Sequence, residues 1–302
     1  MYLSRFERKL LSPKGDILAE KGILDRIKDL PTLPFIATRV MEIIGDPHSS
    51  ALDLANVIST DQALTAKVLR LVNSAYYGFP NPITTITHAV AILGFNTLRS
   101  LVLSVATFDL FAKRGQDLIF DRQQLWLHSL AAAVCAKSIA RRIAYPNQEE
   151  MFVAGLLHDV GKVILDQYLH SEFAQAIESA KTEKTPMYEA EKKVLGYNHA
   201  EIGKLICEKW RLPMILTEAI RYHHDVDAAR DNAKIASIVH VADILVKMKG
   251  IGHSGDDYIH PVNETAKSVL RLEYLNINEL LAEMQKGVHE CKEFLQLGKE
   301  AQ

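Results

Sequence analysis

The chain has 302 residues, 48% hydrophobic and 24% charged, with a formal net charge of −2. That length suits one large domain or two modest ones sharing a core, and near-neutrality excludes a global field that would draw the chain to nucleic acid or an anionic membrane. Cys135, Cys207 and Cys291 lie far apart and form no C-x-x-C pair, so a reducing cytoplasm is expected and a disulfide framework is not. The charged start, Met-Tyr-Leu-Ser-Arg-Phe-Glu-Arg-Lys, leaves no room for the apolar core of a secretory signal. No apolar stretch reads as long enough to span a bilayer. The expectation is a soluble, cytoplasmic protein with no membrane insertion.

Helical periodicity runs along the chain and alternating strand patterns are nearly absent, so the fold class is all-α. Helices are expected at 34–44 and 50–58. Asp61 caps the next, whose apolar positions Leu64, Val68, Leu71 and Val72 share one face and which Gly78 should end. Residues 73–87 carry Gly and Pro punctuation and read as a long turn region. A further helix is expected after Gly94 and Asn96, with Leu98, Leu101, Val102 and Val105 as its stripe. Residues 125–140 are helical and rich in alanine, as suits a helix packed closely on several sides. More helices are expected at 151–168, 171–182, 187–195, 199–210, 213–223, 231–247 and 278–296. The sum is a compact multi-helix array with short connections, not a repeat solenoid.

Segment 112–121, with Lys113, Arg114, Gly115 and Asp117, divides an N-terminal helical subdomain (1–118) from a histidine-bearing one (119–248). Segment 249–264, with Gly250, Gly252, Gly255 and Pro261, is polar and expected to be a flexible linker into the last part, 249–302. There Leu270, Leu272, Leu275, Leu280, Leu281, Met284, Val288 and Phe294 form either a capping helix or a partner surface. Segments 52–73 and 87–105 could pass for helix-turn-helix units, with Lys67, Arg70 and Arg99 as phosphate contacts. A DNA-binding helix normally sits within a basic patch and the chain is not basic overall, so helix packing accounts for them better and DNA is not an expected partner. Tyr76, Tyr77, Phe79 and Pro80 either anchor their loop on the core or offer an aromatic surface.

The second half carries His128, His158, Asp159, His199, His223, His224 and Asp243. Neutral imidazole nitrogen and carboxylate oxygen suit divalent first-row metals such as iron, manganese, nickel or zinc. The adjacent pairs His158–Asp159 and His223–His224 fit a helix turn or terminus that shows two side chains to one cavity. The rest would come from separate helices, as metal sites in helical bundles do. Taken singly, each residue also fits an ordinary hydrogen-bonded side chain.

His158-Asp159-Val160-Gly161-Lys162, preceded by Ala154-Gly155-Leu156-Leu157, resembles the signature of the HD phosphohydrolase superfamily. His199-Ala200-Glu201-Ile202-Gly203, then Trp210-Arg211-Leu212-Pro213 and Ala219-Ile220-Arg221-Tyr222-His223-His224, resemble its HDOD branch and the HD-GYP relatives. The first half is similar to HDOD sequences at Leu33-Pro34, at Ile58-Ser59-Thr60-Asp61-Gln62-Ala63-Leu64, at Val72-Asn73-Ser74-Ala75-Tyr76-Tyr77 and at Ala89 to Gly94. The resemblance spans residues 20–246. It implies a helical HDOD array with an HD-type metal core in the second half.

By that resemblance, one metal would take His128, His158, Asp159 and Asp243, and a second would share Asp159 and add His199, His223 and His224. Two divalent transition ions are implied, iron or manganese first, nickel or zinc also admissible. Some relatives hold a third metal with a glutamate where this chain has Gln124. The stretch Asp225-Val226-Asp227-Ala228-Ala229-Arg230-Asp231 lacks the Gly-Tyr-Pro signature, so cyclic-di-GMP hydrolysis is not expected. Lys162 stands where relatives meet a phosphate with a lysine; a solvated helix lysine is the other reading. His240, three residues before Asp243 on the same face, is expected to support the site rather than ligate.

Two functions follow. One is a bacterial regulatory module that passes a state to a signalling protein partner with little turnover. The other is a metal-dependent phosphohydrolase acting on a nucleotide or other phosphoester. Cover over the site from the first-half helices or the 73–87 loop would favour regulation; an open pocket lined by Lys162 and another cation would favour hydrolysis.

Overall fold

The computed structural model of the protein describes residue 27 and residues 31–46, 48–112 and 119–291. Lys113, Arg114, Gly115, Asp117 and Phe294 lie outside the described residues. Among the described residues there is no strand, and the chain is all-α. The helices are α1 (Phe35–Gly45), α2 (Ala51–Ser59), α3 (Gln62–Val72), α4 (Ile86–Ala112), α5 (Arg122–Arg142), α6 (Gln148–Leu157) and α7 (Val160–Tyr168). They continue with α8 (His170–Glu183), α9 (Met187–Leu195), α10 (His199–Lys209), α11 (Met214–Tyr222), α12 (Ala233–Lys249), α13 (Glu264–Leu270) and α14 (Ile277–Glu290).

Capping side chains explain where many of these begin, because the first N–H groups of a helix have no partner within it. Ser50 and Asp53 form a capping box for α2, and Asn198 and Glu201 do so for α10. Asp61 accepts from Leu64 N at the start of α3, and Asp121 accepts from Gln123 N and Gln124 N at the start of α5. The end of α3 differs from the sequence expectation: it stops at Val72, well before Gly78. The Asn73 side chain explains this. Its amide nitrogen donates to Ile83 O at 2.8 Å and its oxygen accepts from Ile83 N at 2.7 Å, closing the 73–83 loop on itself. Tyr76 packs against Phe152 and Tyr77 stacks on Phe79, so these aromatics anchor the loop.

Helix α4 starts at Ile86, earlier than the stripe after Gly94 implies, and is broken at Gly94 by a backbone of φ 79, ψ 170. By length and composition its segment Ile86–Phe108 is long and apolar enough to cross a membrane, which corrects the expectation that no stretch is. Most of that segment is buried inside the protein. Its apolar residues, Leu98, Leu101, Val102 and Leu103 among them, belong to the core. Arg99 is not available to a nucleic acid phosphate: it is buried and donates to Glu150 Oε1 at 2.9 Å.

Helix α5 is the axis of the second half. Ala131, Ala132, Ala133, Ala136 and Ala140 are fully buried, and their small side chains let α6, α12 and α14 approach closely. Leu280, Leu281 and Met284 of α14 are buried, and Arg142 reaches Glu279 at 3.1 Å and Glu283 at 2.6 Å. The C-terminal stripe therefore caps α5.

The run 151–168, one helix by periodicity, is two. The chain breaks at His158 and Asp159, where Asp159 takes φ −99, ψ 9. Just beyond, α7 crosses the start of α10 so tightly that a Cβ at Gly161 would collide with the His199 carbonyl. Gly161→Ala is therefore expected to destabilise the protein by about 3 kcal/mol, the upper end of the usual overpacking cost. Urea unfolding should show a lower midpoint at unchanged slope; an unchanged midpoint would refute the close approach.

Candidate metal centre

Six helix ends and faces meet at one buried point. His128 comes from α5, His158 and Asp159 from the α6–α7 break, His199 from the first position of α10, His223 and His224 from the end of α11, and Asp243 from α12. All seven residues singled out in the sequence are brought together. Six are buried to 2% exposure or less, and His224 is half-buried.

Asp159 stands at the middle. Its Oδ1 is 3.2 Å from His199 Nε2, and its Oδ2 is 3.4 Å from His158 Nε2 and 3.9 Å from His128 Nε2. Asp243 Oδ1 closes the far side, 3.0 Å from His128 Nε2 and 3.6 Å from His158 Nε2. On the near side His199 Nε2 lies 2.9 Å from His224 Nε2. The side chains form two groups that share Asp159: His128, His158 and Asp159, and Asp159, His199, His223 and His224. Within each group the donor atoms lie within 4.8 Å of one another.

The other ring nitrogen of each key histidine is already committed. His158 Nδ1 is 2.7 Å from Gly155 O, His223 Nδ1 is 2.7 Å from Ile220 O, and His199 Nδ1 is 2.6 Å from Glu191 Oε2. A nitrogen facing a carbonyl oxygen must carry the proton, so Nε2 of His223 presents its lone pair inward, and Nε2 of His158 does so once that ring is neutral. His240 behaves as the sequence suggested: its Nδ1 donates to His223 O at 2.7 Å and its Nε2 accepts from Asn263 N at 3.0 Å, so both nitrogens are occupied.

Burial shapes the charge state. It drives His199 and His224 far below the usual imidazole range and His223 down to about 3, and it lowers His128 against the pull of Asp243. These rings are neutral, the form that binds metal. His158 is the exception: burial opposes its charge, but Asp159 and Asp243 outweigh burial and hold it at about 9. Both carboxylates stay ionised despite their burial, Asp159 through His158 and Lys162, Asp243 through Lys247 and His128.

Lys247 and Glu191 escaped the sequence reading, and Lys162, named there, lies in a more enclosed setting than a solvated helix lysine. Lys162 is not solvated: it is 1% exposed and donates to Asp159 Oδ2 at 2.8 Å. Lys247 binds Asp243 Oδ2 and Asp256 Oδ2, each at 3.0 Å. Its spacing of four from Asp243 on one helix could have revealed it. Glu191 holds both the ring and, at 2.8 Å, the backbone N–H of His199; nothing in the pattern of α9 marks it.

The segment 249–264, expected to be a flexible linker, is instead a strap tied across the centre. His253 N donates to Gln124 O at 3.0 Å, Asp256 is buried on Lys247, and Asn263 N bonds His240. A hydrogen bond to the α5 backbone, another to His240 and a buried ion pair override its Gly-rich composition. The strap, not the first-half helices or the 73–87 loop, closes this side of the cluster.

An all-helical array whose broken α6–α7 junction delivers adjacent His and Asp into a histidine cluster is an HD-type domain. The chain belongs to the HDOD domain family, whose profile matches residues 30–226. It is similar to an HDOD domain protein of unknown function from Geobacter sulfurreducens, 30% identical with a TM-score of 0.79 over 94% of this chain and 98% of that one. A protein of Shewanella amazonensis provisionally named a phosphohydrolase shares the fold, at 24% identity and a TM-score of 0.70 over 92% of this chain and 97% of that one. An uncharacterized protein of Treponema pallidum is 28% identical over 75% of this chain and 44% of its own length. The chain spans less than half the length of the curated relatives it matches.

The electrostatics predict a pH dependence for the metal-free protein. His158, at about 9 against an ordinary 6.5, and Glu191, pushed by burial to about 8 against an ordinary 4.5, both bind protons more tightly when folded. Their contribution is complete below the unfolded values and is lost as pH rises through the folded ones. The depressed histidines act in the opposite sense, but only below about 6.5. Stability in the presence of chelator should therefore fall between pH 6.5 and 9. Urea midpoints that stay level or rise across that window would contradict this charge assignment.

Proposed function

We propose that the chain is a regulatory module of bacterial signal transduction that holds two divalent transition ions and passes its state to a partner protein with little or no turnover. The observation that carries this reading is a complete donor set in a closed chamber. A hydrolytic metal site needs an open coordination position and a cleft for substrate; here every expected ligand but His224 is buried and the strap lies across the opening.

The donor set fits metal ions. Nε2 of His128, His158 and His223, Oδ1 of Asp159 and Oδ1 of Asp243 are buried without a hydrogen-bond partner. Each such atom costs about 1–3 kcal/mol if left unsatisfied, and a cluster of them aimed at one point is what cations would satisfy. One ion would be held by His128, His158, Asp159 and Asp243, the other by Asp159, His199, His223 and His224. Nitrogen and oxygen donors without thiolate favour iron or manganese and admit nickel or zinc. Such a pair, when bound, polarises water and phosphate oxygens.

One observation favours a second reading, a phosphohydrolase acting on a nucleotide or other phosphoester. Lys162 and Lys247 place two buried ammonium groups beside the two carboxylates, where they could meet phosphate oxygens. A substrate would reach them only with the strap displaced.

Elemental analysis of the purified protein tests the main reading. About two equivalents of transition metal are expected in the wild type and none in His158→Ala or Asp159→Ala. Metal content unchanged from wild type in both variants, or a wild type that stays empty after anaerobic reconstitution with iron or manganese, would sink it. Phosphoester turnover by the loaded protein with the strap intact would shift the choice to the hydrolase.

A further inference from the structure

The strap brings a histidine that belongs to neither expected ligand group. His260 Nε2 is buried and has no hydrogen-bond partner. Its ring lies 5.6 Å from that of His224, edge-on, and 5.6 Å from that of His240, stacked. His260, His224 and Asp243 present donor atoms that all lie within 4.8 Å of one another. This triplet touches both sides of the centre, because His224 belongs to the group around His199 and Asp243 to the side of His128.

The strap is built to hold that position. At Gly252, φ is +66 and a Cβ would collide with the His128 backbone and lie 2.5 Å from Gln124 O, so only glycine lets the strap lie on the α5 turn that carries His128. Asp256 then pairs with Lys247, and Asn263 N with His240, on either side of His260. An imidazole needed only for packing would do as well as an apolar ring. A buried, unpartnered ring nitrogen on an imidazole set beside two other metal-binding groups is a ligand's arrangement.

We propose that His260 is a metal ligand delivered by the strap, binding a divalent cation together with His224 and Asp243, so that cation occupancy and strap position depend on each other. This rests on the reading of the cluster as a metal centre. The cation pulls the strap down, and the strap leads directly into α13 and α14, which gives metal loading a route to the C-terminal surface.

The experiment uses Mn²⁺ alone as probe, on the full chain, with wild type, His158→Ala, His260→Ala and His260→Phe. Binding is read by titration and strap protection by hydrogen exchange over residues 250–264. In the wild type Mn²⁺ should slow exchange across the strap. Both His260 variants should bind about tenfold or more weakly and lose that protection, although Phe preserves the ring packing. Wild-type affinity and protection in His260→Phe, with binding abolished in His158→Ala, would overturn the strap ligand while leaving the metal centre standing. A wild type that binds no Mn²⁺ would overturn both.

Discussion

The burial of the Asp159 carboxylate is the constraint on which the rest of the second half depends. A lone carboxylate taken out of water would either protonate or unfold its surroundings. Here it stays ionised because His158 and Lys162 lie against it, with the His199 ring on its other oxygen. Each of those groups needs its own support. Gly155 O orients His158, Glu191 orients His199, and the α7 helix carries Lys162 back over the carboxylate one turn later. Asp243 repeats the arrangement on the other side, with His128 and Lys247.

Helix ends do most of the positioning. His158, Asp159, His199, His223 and His224 all sit at breaks or termini, where a side chain can leave the helix axis and adjacent residues can face one cavity. Only His128 and Asp243 come from helix interiors, those of α5 and α12, which pack side by side. A helix break costs backbone hydrogen bonds.

The same enclosure that makes the cluster a good cation site makes it a poor open active site. Two lysines neutralise the carboxylates from within, and the strap ties itself to α5, α12 and His240 across the front. A change in cation content would alter the charge balance of the whole chamber. That is the kind of local electrostatic event which a packed helical array can pass to its surface, with α13 and α14 as the nearest elements downstream of the strap.

Much of this was legible in the linear chain. Helical period determined the fold class and most element positions, because burying one face of a helix imposes its spacing on the sequence. The His158–Asp159 and His223–His224 pairs and their distant partners were visible as residue types with the right chemistry. Other features belonged to the tertiary structure alone. The early end of α3 rests on a loop that Asn73 closes ten residues on, and the burial of the long apolar α4 and the tying down of the Gly-rich strap depend on contacts between residues far apart in the chain. Glu191, Asp256 and His260 carry no local mark of their role. Sequence pattern records what each segment needs to bury, whereas a buried charge is defined by its neighbours in space, and only the packed fold decides which neighbours those are.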